Sequence, residues 1–315
     1  NWQALFGVNL RCPHLSWYTM EGAAKRDYPA SFLHQSPWWR DYAAVETYFA
    51  RFGIINSAGT PARDLLVLNP IESVWCQMYL GCANWVWNIS PDIGEYEERY
   101  RQLFYYLEDN HIDFDYGEEE MIARLASVER GADGKPVFRV GKAVYHKILV
   151  GNMLTVRRTT LALLEKFRKM GGEVVFAGEP PHYVDAVPSE EAAELAKQCI
   201  MTTYDENGIL SAFAADNCIC IKDADGKNES RVYAVKRNRI YGDDSAVILI
   251  NRDDGTALKN ITVSVLTDGA KHLQKWDMES GERFDADGIV THSGDCISFN
   301  IDLEPSELTI TIPIW

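Results

Sequence analysis

The sequence predicts an α/β domain with a parallel, flavodoxin-like sheet, followed by an all-β antiparallel sandwich. A single strand, a long loop and a helix precede the pair. Three observations lead there. Between residues 59 and 204, strand-length apolar runs alternate with amphipathic helical segments, the pattern of a parallel sheet covered on both faces. Beyond about residue 205 helical periodicity gives way to short β-rich runs separated by turn signals, which suits an antiparallel sandwich. The first forty residues fit neither pattern. At 315 residues the chain has room for two to three domains, and we place their bounds at 1–58, 59–204 and 205–315.

Residues 4–12 read as a buried strand, and the loop 13–40 is too long to be a mere connector. Residues 41–56 read as a helix, with Tyr42, Val45, Phe49 and Phe52 on one face and Gly59-Thr60-Pro61 as its stop. Asp64 to Pro70 is a short apolar run ended by proline, a parallel-type strand. Residues 95–109 form a helix with Tyr96, Tyr100, Leu103, Phe104 and Leu107 on one face. Residues 112–115 read as a short strand before an acidic helix start at Glu118-Glu119-Glu120, which suits the helix dipole. Val144 to Val150 is a further strand. A helix over 156–170 turns Leu161, Leu164 and Phe167 inward, Gly171-Gly172 ends it, and Glu173 to Ala177 is the next strand. Ser189 caps a last helix reaching about Cys199, with Glu190 and Glu191 in its first turn. The β-rich runs are Val232–Val235, Ala246–Ile250, Ile261–Val265, Ile297–Ile301 and Leu308–Ile312, with turns at Asp253-Asp254-Gly255 and Glu279-Ser280-Gly281.

Composition narrows the function classes. Hydrophobic residues at 46% and charged residues at 24% are those of an ordinary globular protein. The net charge of −15 opposes binding to nucleic acid or to anionic lipid, which need a basic face, and suits neutral ligands such as glycans. No apolar run reaches the roughly 18 residues of a membrane span. No signal-peptide pattern is present, which is uninformative in a chain that does not begin with Met; the location is expected to be cytoplasmic. Seven cysteines without a CxxC pair read as reduced, mostly buried thiols. The seven histidines show neither i, i+4 pairing nor a cysteine cluster, so no metal is expected. Asp223 to Glu229 has the look of a calcium loop, but position twelve is Ala234 where a bidentate glutamate is needed, so it reads as a hairpin turn. No phosphate-binding glycine motif occurs, and no cofactor is expected.

The N-terminal loop carries the clearest chemistry. A short apolar run leads to His14, and the loop beyond it is crowded with Trp17, Tyr18, Glu21, Arg26, Asp27, Trp38 and Trp39. A strand that feeds a polar, aromatic loop is how a sugar-processing barrel builds part of its binding site. A tryptophan offers a flat apolar face to a pyranose ring, while His14, Glu21, Arg26 and Asp27 are candidate partners for its hydroxyls. Structural roles compete. Trp38-Trp39 fits packing beneath the following helix, and Arg26 with Asp27 fits a loop clamp.

Several segments resemble parts of barrel glycoside hydrolases. Arg26-Asp27-Tyr28-Pro29 and Gln35-Ser36-Pro37-Trp38-Trp39 resemble the segment after the barrel in large bacterial glycosidases. Asp64 to Trp75 resembles the first strand of a class I amidotransferase-like domain. Trp276-Asp277-Met278-Glu279-Ser280-Gly281-Glu282 resembles the WD-x-x-[ST]-G hairpin of glycosidase C-terminal β-domains, and Leu303-Glu304-Pro305-Ser306-Glu307 their terminal strand-leading segment. In this order the segments are similar to family 42 β-galactosidases, in which a (β/α)8 barrel is followed by an amidotransferase-like trimerisation domain and a small β-domain. The resemblance implies a C-terminal piece of a bacterial enzyme, with residues 1–58 a barrel remnant and 4–12 its eighth strand. It implies a carbohydrate substrate and a homo-oligomer.

Barrel glycosidases use two carboxylates, and the resemblance implies that both lie upstream of Asn1. The chain alone is then expected to be inactive. Glu21, seven residues past His14, is the single carboxylate of this loop with a remote claim to catalysis. An amidotransferase needs a nucleophilic cysteine at a strand-to-helix elbow. After Ile148-Leu149-Val150 the chain reads Gly151-Asn152-Met153-Leu154, and Cys76 and Cys82 lie on another connection. The domain is expected to be a shell without that chemistry. Two other readings compete: a self-standing carbohydrate-binding or assembly protein built on the sandwich, and a thiol hydrolase of amidotransferase type.

Overall fold

The computed structural model describes residues 1–14, 16–17, 19–25, 31–80, 91–214, 217–267, 270, 272–286 and 290–314. The chain forms two compact units, Arg63–Asn217 and a discontinuous one made of Asn1–Ala62 with Cys218–Trp315.

The unit Arg63–Asn217 is built on a five-stranded, wholly parallel sheet. Its strands lie in the order Ile200–Thr202, Glu173–Ala177, Lys147–Gly151, Leu65–Leu68, Phe114–Gly117, which in order of appearance is 5-4-3-1-2. Strand periodicity sends alternate residues to opposite faces. Leu65 and Val67 join Leu103, Leu107, Phe114, Ile209 and Phe213 on one side. Leu66 and Leu68 join Ile122, Phe138, Leu164, Phe167 and Phe176 on the other. Burial on both faces explains why these strands read as unbroken apolar runs. The helices Pro91–Glu108 and Arg158–Lys169 supply the expected faces, with Leu103, Leu107, Leu161, Leu164 and Phe167 buried.

Two expectations need correction in this unit. The run 144–150 is two strands. Ala143–Tyr145 closes a small antiparallel meander with Pro136–Val140 and Ala126–Arg130, while Lys147–Gly151 enters the parallel sheet. The break comes at His146, where the N–H groups of both His146 and Lys147 turn to the carbonyl of Asp64. Residues after 205 do not begin as β structure. Glu206–Phe213 is a helix, capped by the Asp205 carboxylate accepting the Gly208 N–H at 2.8 Å, and it buries Ile209 and Phe213. The cap followed by apolar residues at i and i+4 is a signal the sequence does carry.

The second unit is an antiparallel β-sandwich. One sheet has six strands in the order Thr60–Pro61, Val232–Tyr241, Asp244–Asn251, Leu308–Ile314, His272–Trp276, Arg283–Asp285. The other has four, in the order Ile219–Lys222, Leu258–Leu266, Cys296–Leu303, Val290–Ser293. Val232, Ala234, Val247, Leu249 and Leu273 of the first meet Ile221, Val263, Val265, Ile297 and Phe299 of the second. The six-stranded sheet is also buried on its outer side, where Tyr233, Ile248 and Ile250 are covered.

The N-terminal residues help to cover it, which overturns the strand reading of 4–12. Trp2–Leu5 is a single helical turn, and no strand occurs over 6–13. Leu5 is fully buried, the Phe6 ring meets Tyr233 at 5.6 Å, and Asn56 donates to the Ala4 carbonyl at 2.7 Å. Val8 and Leu10 are exposed, the latter at 82%, so the apolar run does not bury one continuous face. Among the described residues no neighbouring strand offers this segment a ladder. The remnant of a barrel strand is therefore absent from this structure, whereas the helix expected after the loop is present as Tyr42–Asn56. Its predicted inner face is unevenly covered, with Tyr42 and Phe49 half-buried. Phe52 is buried, but Val45 is exposed, and Phe49 lies beneath the Arg11 guanidinium at 4.2 Å.

Candidate functional site

The N-terminal loop is held by short polar clamps. The Ser31 hydroxyl donates to Gln35 at 2.8 Å, and the Gln35 amide donates to the Trp17 carbonyl at 2.6 Å. Arg11 belongs to no motif in the sequence, yet it donates to the Tyr42 hydroxyl at 3.0 Å and pairs with Glu46 at 3.2 Å. It ties the loop to the helix. His14 and Glu21 are exposed and Trp17 is partly buried. Trp38 and Trp39 are 49% and 42% exposed, so they are not sealed beneath the helix; the Arg40 guanidinium lies 5.6 Å from the Trp39 ring. Tyr18, Arg26 and Asp27 lie outside the described residues, as does Cys82.

The connection after Lys147–Gly151 has a sharp turn but no nucleophile. Asn152 sits at φ +55°, a left-handed conformation that asparagine tolerates better than most residues, and it is 7% exposed. Its amide donates to the Tyr96 carbonyl at 3.2 Å. The Ser73 hydroxyl accepts the N–H groups of Leu154 at 2.9 Å and Thr155 at 3.2 Å, fixing the chain beyond the turn. A Cβ on Gly151 would approach the Tyr204 ring at 2.9 Å. Tyr96, Arg99, Asn152, Glu179, His182 and Tyr204 line a cavity of about 400 Å³ there. His182 and Glu179 stand 3.4 Å apart and are both exposed. The nitrogen lone pair of a carboxamide is delocalised into its carbonyl and makes no useful nucleophile, so this arrangement does not support acyl transfer through Asn152.

The described cysteines do not replace it. Cys12, Cys76 and Cys220 are exposed and Cys199, Cys218 and Cys296 are half-buried, all without a disulfide. The expectation of mostly buried thiols is corrected: Cys220 lies on the outward register of Ile219–Lys222, whose inward residues are Ile219 and Ile221. No group of three or more His, Cys, Asp or Glu able to hold a metal occurs among the described residues. No helix among them is long and apolar enough to cross a membrane. Asp223 forms a turn, accepting the N–H groups of Asp225 at 2.9 Å and Lys227 at 2.8 Å.

Two segments noted in the sequence converge in the sandwich unit. The hairpin after Trp276 is closed by Asp277, which accepts the Glu279 N–H at 2.8 Å and the Ser280 hydroxyl at 2.9 Å; Gly281 has φ +81°. Arg51 of the helix Tyr42–Asn56 donates to the carbonyls of Met278, at 2.9 Å, and Glu279. In the second segment the Glu307 carboxylate accepts the Glu304 N–H at 2.8 Å. Both segments line one cavity of about 500 Å³. Burial, reinforced by Glu279 and other nearby carboxylates, pushes the Tyr48 hydroxyl at its wall up to about 12.

No family model matches the chain, and no curated protein matches it. Solved structures do. A rhamnosidase from Novosphingobium sp. PP1Y matches 90% of this chain with a TM-score of 0.57 and 16% identity. A β-galactosidase from Bacillus circulans sp. alkalophilus matches 93% with a TM-score of 0.55 and 10% identity. The fold is shared with glycoside hydrolases. A GH42 β-galactosidase from G. stearothermophilus matches 88% of the chain with a TM-score of 0.50 and 11% identity. The chain spans 26%, 48% and 44% of the length of those three chains respectively. Its mixture of a parallel α/β unit and antiparallel sheets agrees with the class read from the sequence.

Proposed function

We propose that this chain is the C-terminal, non-catalytic segment of a glycoside hydrolase that acts on glycosidic bonds of a carbohydrate. In this reading the α/β unit is a flavodoxin-like, amidotransferase-derived shell with a structural or oligomerising role. Its strand order and its nucleophile-free turn at Asn152 support that. The aromatic loop supplies one wall of the sugar site. Trp38 and Trp39 are open enough to offer flat apolar faces to a pyranose ring, and His14 and Glu21 stand exposed for its hydroxyls. Tyr18, Arg26 and Asp27 complete the set proposed from the sequence.

The observation that carries the reading is the pairing of these two units in one chain, matched over about nine-tenths of its length in glycosidases of which it spans no more than about half. Glycoside hydrolysis takes two carboxylates placed on either side of the bond. Glu21 is the loop's single candidate and has no second carboxylate paired with it in that loop's described part.

Nitrophenyl glycosides test this. The chain alone should give no turnover above buffer, whereas the chain joined to its native upstream sequence should hydrolyse at least one of them. Turnover by the chain alone that disappears in Glu21→Gln would overturn the reading and make the loop a self-sufficient catalytic site.

A further inference from the structure

The cavity of about 500 Å³ in the sandwich unit is lined by more than the groups that close its two turns. Tyr48, Lys275, Trp276, Glu279, Phe284 and Glu307 are among its walls. The volume falls in the range that holds a small organic ligand, roughly 300–1,000 Å³. Phe284 lies on Arg283–Asp285, the edge strand of the six-stranded sheet, and pairs across the ladder with Lys275. It is 47% exposed. An aromatic ring left half open beside a polar cavity is a surface that gains from being covered. The Arg283 guanidinium lies 4.2 Å from the centre of the neighbouring Trp276 ring, so a cation already occupies that indole.

The polar groups fix the ligand class. Lys275 and Glu307 form a loose pair at 3.4 Å, and Glu307 also accepts the Glu304 N–H at 2.8 Å, which leaves ammonium donors and the remaining carboxylate lone pairs side by side. A donor and an acceptor at that spacing suit adjacent hydroxyls, each of which accepts from one group and donates to the other. Asp277 and Glu304 are committed elsewhere, the first to its own turn and the second to Lys259 at 2.6 Å. With Glu279 and Glu307 they still make the rim acidic, Lys275 being the cation among its lining residues. Carboxylated, sulfated or phosphorylated ligands are disfavoured by that sign.

We propose that this cavity is a binding site for an uncharged saccharide, stacked on Phe284 with vicinal hydroxyls held by Lys275 and Glu307. It is separate from the aromatic-loop wall and does not depend on the chain's being part of a hydrolase.

The test is calorimetric and saturation-transfer NMR titration of the whole chain. The probes are methyl β-galactopyranoside, methyl α-rhamnopyranoside and methyl β-glucopyranoside, with galacturonate as the anionic comparison. At least one neutral glycoside should bind saturably in the millimolar range. Phe284→Ala should weaken it roughly tenfold, as should Lys275→Met, which removes the donor without opening the sheet. Both sites are partly exposed, and retained thermal melting shows that the variants fold; if one does not, the other decides. Trp38→Ala with Trp39→Ala removes the loop wall and serves as the comparison for binding there, while Val187→Ala, exposed on the other unit, should leave the affinity unchanged. The proposal fails if no neutral probe saturates at tens of millimolar, if both cavity variants bind normally, or if galacturonate binds as well as the neutral sugars. Loss of binding only in the tryptophan variants would overturn it too, while supporting the loop as the sugar wall.

Discussion

The Asn152 amide reaches the carbonyl of Tyr96 at 3.2 Å, joining the turn after one central strand to the helix Pro91–Glu108. That contact, with φ at +55°, gives Asn152 two structural reasons to be what it is, neither of them catalytic. Asn152→Ala should cost about 1–2 kcal/mol, through a left-handed backbone and a lost buried hydrogen bond. Asn152→Gly should cost less, since it removes the bond but relieves the backbone. Urea denaturation of the two variants checks the order.

Glu119 gives the α/β unit a pH dependence. It is 1% exposed, and burial pushes its carboxyl up to about 7, against the N–H of Arg157 donating at 2.8 Å. A carboxyl whose folded pKa is raised binds its proton more tightly in the native state. Its stabilisation is fully present below about pH 4.5 and is lost as pH rises through about 7. Asp113, raised to about 6 by burial, slopes the same way. Glu119→Gln keeps an oxygen for the Arg157 N–H. It should therefore raise stability at pH 8 by about 1–3 kcal/mol, leave it unchanged at pH 4, and flatten the slope between. Melting curves across that range read it directly.

Arg63 holds two carboxylates at once. It donates from Nε to Asp113 at 2.7 Å and from Nη1 to Asp115 at 2.9 Å, and the Tyr145 hydroxyl donates to Asp115 at 2.8 Å. Arg63→Met should destabilise by about 3–5 kcal/mol at pH 8, because Asp113 is left charged and buried. The loss should shrink at pH 5, where Asp113 can take a proton. Equal losses at both values would show that the network acts through packing alone.

Gly172 follows the helix Arg158–Lys169 where a Cβ would come within 2.4 Å of the Phe167 ring. That ring is fully buried and meets Phe138 at 5.8 Å. Gly172→Ala should cost about 1–3 kcal/mol by overpacking. Combining it with Phe167→Leu, which frees the space, should cost less than the sum, and a double-mutant cycle measures the coupling.

The parallel sheet was legible because burial on both faces writes Leu65 to Leu68 and Val174 to Ala177 as unbroken apolar runs. The inward face of Arg158–Lys169 was legible because Leu161, Leu164 and Phe167 repeat at helical spacing. The break at His146 was not, since it arises from two N–H groups sharing the Asp64 carbonyl, a contact 82 residues away in sequence. Residues 4–12 mislead for a related reason. An apolar run states that something is buried, but Leu5 is buried and Leu10 is open, and a strand needs a neighbour that the run itself does not encode. At the aromatic loop, Trp38 and Trp39 were readable as residue types and not as exposed or covered. The hairpin at Trp276 was readable as a turn, and its place on a cavity wall with Glu307 depends on tertiary structure.

The reading frame encoding this chain tests the central claim most directly. A C-terminal glycosidase segment predicts that the codons upstream of Asn1 continue the frame through a barrel's length of alternating strands and helices, with two carboxylates at strand ends. A start codon immediately before Asn1, with no such stretch, would contradict it.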